Sequence, residues 1–200
     1  MADAFYYQLD EALDAADGCA LCWLESRQVS RYLQGVANDG VNNIPLRQKL
    51  EKRGGYCGAH LAQFVGLASP LSSAILVDAF LKLRLRNAAA GKKPITPDCE
   101  ACEVKLKTRR SLAKNIKRRK REDELLKRLQ RAQLCLEHLE LACRELPSNS
   151  RDILVAKHDG LLEHLSEVIR KHDYRFSDEA MSEEETQSIK KGLEFYRSKY

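Results

Sequence analysis

The sequence contains four short pairs of cysteine and histidine, and two residues separate the members of every pair. In chain order they are Cys19 and Cys22, Cys57 and His60, Cys99 and Cys102, and Cys135 and His138. The two C-x-x-C pairs lie 80 residues apart and the two C-x-x-H pairs lie 78 apart. A pattern that recurs at a nearly constant offset indicates a duplicated unit.

Two further features support a duplication. The apolar triplet Ile-Leu-Val at residues 75–77 recurs at 153–155, again 78 positions later. Residues 91–97, G-K-K-P-I-T-P, have the glycine and proline content of a linker. We therefore predict a first repeat over residues 1–93 and a second over 94–200, the second with a C-terminal extension.

The composition indicates an all-α fold, because valine, isoleucine and threonine are sparse and good helix formers dominate. Each C-x-x-C pair is predicted to start a helix, so each repeat would be a helical-hairpin unit. A single long helix is expected over about 152–171. A last helix is expected within 182–200, with Ile189, Leu193 and either Phe195 or Tyr196 on its buried side.

Three thiols and one imidazole form a common closed ligand set for structural zinc. Taken copy by copy, the pairs predict two such Cys3His sites, each pinning the base of one hairpin. The first would use Cys19, Cys22, Cys57 and His60, and the second Cys99, Cys102, Cys135 and His138. The predicted cofactor is therefore two structural zinc ions.

Other uses of the cysteines remain open. Iron–sulfur sites usually take four thiolates, which makes iron less favoured than zinc. Metal-free buried thiols would leave both C-x-x-H pairs unexplained. Disulfides are disfavoured by the odd count of seven cysteines and by the reducing cytosol. Cys143 belongs to no pair and is predicted to be a small packing residue.

The predicted location is cytoplasmic and away from membranes. The N-terminal segment is acidic and polar, unlike the charged and then apolar layout of a signal peptide. No apolar run approaches the length of a bilayer-spanning helix.

The net charge of +5 conceals one strongly basic stretch without an acidic residue. Its ten cations are Lys105, Lys107, Arg109, Arg110, Lys114, Lys117, Arg118, Arg119, Lys120 and Arg121. Such a helix could contact RNA or DNA phosphates, or an acidic protein partner. The alternative is a solvated helix face with Leu106, Leu112 and Ile116 turned inward. The run has no aromatic residue, which argues against stacking on single strands.

Three histidines, His158, His164 and His172, lie on or just past the expected helix over 152–171. In an unbroken helix, His158 and His172 would share one face, because 14 residues make nearly four turns. Together with nearby aspartates they could form a second metal or acid–base site. Surface or capping roles are the alternative.

The sequence resembles an uncharacterised prokaryotic family, a domain of unknown function with paired C-x-x-C and G-[FY]-C-x-x-H elements. The matching segments are C-A-L-C-W-L-E at 19–25, G-Y-C-G-A-H at 55–60 and K-H-D-Y-R-F at 171–176. Gln133 and Leu134 depart from the pattern before Cys135. The resemblance spans about residues 17–196 and implies the fold and the metal, but no activity. Because the 171–176 segment is the most distinctive, His172, Asp173 and Arg175 are the best candidates for a secondary site.

The resulting functional prediction is a zinc-binding helical protein that acts as a non-enzymatic interaction or adaptor module with a protein partner. No glycine-rich phosphate loop, nucleophile elbow or H-E-x-x-H motif is present. One alternative is an RNA- or DNA-binding protein that uses the basic helix over 105–121. Another is a redox or iron–sulfur electron-transfer protein.

Overall fold

A computed structural model describes residues 4–40, 42–176 and 178–197. These residues form α-helices and turns without a strand, which confirms the predicted all-α fold. The helices are α1 (Ala4–Ala15), α2 (Ala20–Gly35), α3 (Ile44–Lys52), α4 (Gly58–Leu67), α5 (Pro70–Ala89), α6 (Glu100–Arg119), α7 (Asp123–Arg131), α8 (Leu136–Glu145), α9 (Ser148–Ala156), α10 (Asp159–Lys171) and α11 (Glu183–Tyr196). A π-helical turn covers Val36–Gly40, and a 3-10 turn covers Tyr174–Phe176. No helix among the described residues is long and apolar enough to cross a bilayer.

The chain divides into two compact units. The terminal unit combines Met1–Leu24 with Arg110–Tyr200, and the central unit is Glu25–Arg109. The boundaries between the units therefore fall inside α2 and α6. The predicted repeats, residues 1–93 and 94–200, describe a different division, and the duplication itself stays a prediction.

The core of the terminal unit is built from helix faces with apolar residues at three- and four-residue spacing. Leu112 and Ile116 of α6 are fully buried in it. Leu125 and Leu129 of α7 are buried in the same core. The spacing of four residues places each pair on one side of its helix, so the charged residues of α6 and α7 can face water.

The core of the central unit is more aromatic. Tyr56, Phe64 and Phe80 pack together, and the rings of Tyr56 and Phe80 meet edge to face with centroids 5.9 Å apart. Helix α5 begins at Pro70. Ser69 is its N-cap and accepts a hydrogen bond from the backbone N–H of Ser72 at 3.1 Å, and Pro70 starts the first turn.

Two helix predictions near the C-terminus are wrong. The expected helix over 152–171 is broken, since α9 ends at Ala156 and α10 begins at Asp159. In α11, Ile189 and Leu193 are exposed rather than buried, at 60% and 51%. The buried residues of α11 are instead Glu185 and Ser188, while Phe195 packs against the core as predicted. An ion pair from Glu185 to α10 sets this orientation, and an apolar pattern alone cannot reveal it.

Candidate metal centres

All eight predicted ligands assemble into two clusters, but the pairing differs from the prediction. The first cluster, the terminal site, contains Cys19, Cys22, Cys135 and His138. The second, the central site, contains Cys57, His60, Cys99 and Cys102. The ligand atoms within each cluster lie within 4.8 Å of one another, so each cluster could hold a metal ion. The expectation that each repeat closes its own site is therefore wrong, because every site takes one pair from each predicted repeat.

The exchange follows the order of the pairs along the chain. Both C-x-x-C pairs stand at the start of a long helix, since α2 and α6 have 16 and 20 residues. Each C-x-x-H pair lies beside the C-x-x-C pair of the other predicted repeat. Spacing in the sequence does not encode the direction in which a helix carries the chain.

Each pair occupies the same place in its helix. Cys19, Cys57, Cys99 and Cys135 directly precede α2, α4, α6 and α8, and the second member of each pair is the third helical residue. Side chains at these two positions approach each other, as in a capping box. Neither Cys57 nor Cys135 makes a side-chain capping hydrogen bond. Each site is therefore formed by two helix N-termini, whose partial positive charge favours thiolates.

The distances in the terminal site fit a tetrahedral ion. Ligands at ~2.3 Å (sulfur) and ~2.0 Å (nitrogen) from zinc would leave sulfur atoms about 3.8 Å apart and sulfur–nitrogen pairs about 3.5 Å apart. The Sγ atoms of Cys22 and Cys135 are 3.6 Å apart. His138 Nδ1 lies 3.4 Å from Cys19 Sγ, 3.1 Å from Cys22 Sγ and 3.3 Å from Cys135 Sγ.

The central site repeats this geometry. The Sγ atoms of Cys57 and Cys102 are 3.8 Å apart. His60 Nδ1 lies 3.2 Å from Cys57 Sγ, 3.5 Å from Cys99 Sγ and 3.3 Å from Cys102 Sγ. None of these cysteines forms a disulfide, and the sulfur separations far exceed the ~2.05 Å of an S–S bond. Both ligand sets thus fit one small cation each.

The clustered sulfurs shift the pKa values of one another's thiols. Hydrogen bonds from Cys135 and Cys22 lower the pKa of Cys19 despite its burial. In the central site, burial and then the negative charge of Cys99 raise the pKa of Cys102 to about 12. Three thiolates in such a small space repel one another unless a positive ion lies between them.

The two sites differ in their contact with solvent. All four residues of the terminal site are buried, and the His138 side chain is fully enclosed. In the central site only Cys99 is buried, while Cys57, His60 and Cys102 are half-buried. The backbone closes the terminal site as well, since the N–H of Ala20 donates to the carbonyl of Gln133 at 3.0 Å.

Sequence reasoning missed Arg53, which braces the C-x-x-C turn of the central site. Its Nε donates to the carbonyl of Asp98 at 3.0 Å, just before Cys99. Its other nitrogens donate to Glu100 at 2.8 Å and to Glu103 at 3.0 Å. The acidic residues around the cysteines were a signal that a cation is needed there. The sequence does not identify which of the 34 lysines and arginines supplies it.

Part of the basic run is used within the central unit. Glu25 is only 1% exposed. Its carboxylate accepts a hydrogen bond from Nε of Arg109 at 2.8 Å, and Nζ of Lys105 lies 3.8 Å from the same carboxylate. Lys107 pairs with Glu103 at 2.8 Å, one helical turn away. Leu106 is exposed, contrary to the expected inward orientation. These three cations therefore balance acids of their own unit.

The rest of the run belongs to the terminal unit. Arg119 is only 2% exposed and pairs with Asp10 and Glu122, both at 2.7 Å. The other six cations are exposed. They are Arg110, Lys114, Lys117, Arg118, Lys120 and Arg121. As predicted, Leu112 and Ile116 face inward.

His158 and His172 do not come together. His158 directly precedes α10 and stacks on Phe195 with ring centroids 4.2 Å apart. His172 follows the far end of the same helix, about 20 Å away for 13 residues. The two histidines therefore do not share a helix face, as they would in an unbroken helix.

His172, Asp173 and Arg175 form the turn that ends α10. His172 Nδ1 lies 2.8 Å from the carbonyl oxygen of Val168, which gives that helix terminus a hydrogen-bond donor. Asp173 pairs with Arg175 at 2.7 Å and also accepts the backbone N–H of Arg175 at 3.0 Å. The guanidinium of Arg175 lies over the Phe176 ring. Their contacts in the described chain are those of a helix terminus.

The fold and the two clusters define an all-α protein with two Cys3His sites that could each hold a metal ion. A family profile matches residues 3–135, and the chain belongs to that family, the family of unknown function DUF6062. The match includes seven of the eight cluster residues and ends before His138 and the K-H-D-Y-R-F segment. No curated protein and no solved structure matches the chain.

Proposed function

We propose that this protein binds two structural zinc ions and acts as a cytoplasmic interaction module rather than an enzyme. The observation that carries the proposal is the pair of Cys3His clusters with the edge lengths of a zinc tetrahedron. The terminal site joins segments more than one hundred residues apart, since 113 positions separate Cys22 from Cys135. An ion there would hold together chain segments that meet only after folding.

The ligand count favours a structural role. A catalytic zinc ion usually has three protein ligands and keeps one position open for water or substrate. Each cluster here offers four ligands, so an ion bound by all of them has no open position. The proposed function is therefore to maintain a surface that a partner recognises.

Metal analysis of the purified full-length chain tests the proposal. We expect two zinc ions per chain and a colourless protein. Removal of the metal by a strong chelator should abolish most of the helical circular dichroism, because the ions would stabilise the folded state directly. Iron with visible absorbance would instead favour the electron-transfer alternative. Far fewer than two zinc ions with all cysteines reduced would contradict the proposal.

Double variants test which pairs share an ion. Cys22→Ser with Cys135→Ser damages only the terminal site, so one zinc ion should remain. Cys22→Ser with Cys57→Ser damages both sites, so neither ion should be held tightly. Site closure within each predicted repeat would give the opposite result. Cys143→Ser is the matched control and should retain both ions, because Cys143 belongs to neither cluster.

A further inference from the structure

We propose that the exposed side of α6 binds the phosphate backbone of double-stranded nucleic acid without reading its sequence. We call this surface the cationic face. It consists of Arg110, Lys114, Lys117 and Arg118 of α6, together with Lys120 and Arg121 in the turn that directly follows the helix. The inference names the partner of the proposed interaction module and rests on that proposal, since the terminal zinc site would stabilise the unit that carries residues 110–121.

The cationic face is a continuous stripe. At 100° per residue, positions 110, 114 and 117 of α6 fall within about 60° of one another around the helix axis and position 118 flanks them, while Lys120 and Arg121 lie in the turn that follows the helix. Leu112 and Ile116 lie on the opposite side and are fully buried. Packing of these two residues fixes the orientation of α6, so the cations stay turned toward solvent.

The charge of this face is not neutralised by the described part of the protein. Within residues 4–40, 42–176 and 178–197, none of its six cations forms an ion pair. Arg118 donates a hydrogen bond to Asn115 at 3.0 Å, but that partner is neutral. The buried Arg119 forms ion pairs with both Asp10 and Glu122. Glu122, the acid that directly follows the basic run in the sequence, is therefore already paired with a cation outside the cationic face.

The chemistry of the face suits phosphates better than an acidic protein. Protein interfaces depend on buried apolar and aromatic anchors, and the exposed side chains of this stretch are cationic. From position 110 to 118 the helix rises about 12 Å, which spans three to four phosphates of one strand at ~3.4 Å each. The stretch has no aromatic residue, which argues against base stacking, the usual means of holding single strands.

Salt dependence measures the number of phosphate contacts. For duplex DNA, the slope of log K against log salt is about −0.9 for each phosphate neutralised. Six contacts would therefore give at most about −5. Removal of two contacts should make the slope shallower by about 1.8, whatever the sequence of the duplex.

The experiment uses the full-length chain and fluorescently labelled duplexes of DNA and of RNA, each in two unrelated sequences. Anisotropy is measured from low to physiological salt for the wild type and for Lys114→Ala with Lys117→Ala. The matched control, Lys190→Ala with Lys191→Ala, removes two charges from α11. Compared with the wild type, the α6 variant should bind both duplexes more weakly and show a shallower salt slope, and the α11 control should not. The wild type should bind the two sequences with similar affinity. The DNA and RNA arms decide which duplex is preferred.

Zinc content is measured on every sample, which separates the two proposals. A wild type that holds two zinc ions but binds neither duplex overturns the cationic face while the scaffold stands. Equal effects of the α6 variant and the α11 control would also overturn it, as would binding to polyglutamate in preference to duplex. Loss of zinc from the wild type would instead count against the proposed function.

Discussion

Gly55 offers a sharp test of the packing that presents the central site, because it lies two residues before Cys57 and has a backbone that other residues rarely adopt. Its φ is +82°, and its N–H donates to the carbonyl of Leu50 at 2.9 Å. A Cβ at this position would lie 2.8 Å from Cγ of Phe80, closer than real contacts allow. Phe80 is buried in the aromatic core and cannot move aside freely.

Gly55→Ala should therefore be strongly destabilising. The left-handed backbone costs about 1–2 kcal/mol for an L-residue, and overpacking against Phe80 costs about 1–3 kcal/mol. Alanine also reduces the conformational freedom of the unfolded chain, which stabilises the folded state by about 0.5–1 kcal/mol. The expected net loss in the free energy of unfolding is thus about 1–4.5 kcal/mol.

Urea unfolding of the metal-loaded chain, followed by circular dichroism, measures this loss. Gly66→Ala in α4 is the control, because a Cβ there has no atom within 4 Å and the backbone is helical. This control should stabilise the protein by about 0.5–1 kcal/mol. If both variants unfold at the same urea concentration, the steric reasoning is refuted.

Two further predictions concern ion pairs in the terminal unit. Arg119→Leu should lower the free energy of unfolding by about 2–3 kcal/mol, because it leaves the largely buried Asp10 unpaired. Arg118→Leu should change it by less than about 0.5 kcal/mol in urea unfolding, and equal losses would contradict the assignment. Lys171 holds the pKa of Glu185 below its usual 4.5, so this pair stabilises the fold above that pH and less as the pH falls. Glu185→Gln should therefore show a weaker loss of thermal stability on acidification than the wild type, and parallel pH profiles would disprove it.

Much of the candidate metal chemistry could be predicted from the sequence. The i, i+3 spacing places two ligands at the start of one helix, which is a local property that four residues determine. The helical fold likewise follows from local propensity, and the inward orientation of Leu112 and Ile116 follows from their spacing. These features depend on neighbours along the chain, so they can be read without a tertiary structure.

Which pairs share an ion was decided by the tertiary structure, since it depends on where α2 and α6 carry the chain. Arg53 was missed for the same reason: its partner Glu100 is 47 residues away. The basic run shows the division most plainly. The sequence by itself determined that ten cations lie within residues 105–121 without an acidic residue among them. Only the folded chain separated the buried Arg119, which pairs with Asp10 and Glu122, from the six residues whose charge remains exposed, because pairing across the fold depends on distances that the order of residues does not contain.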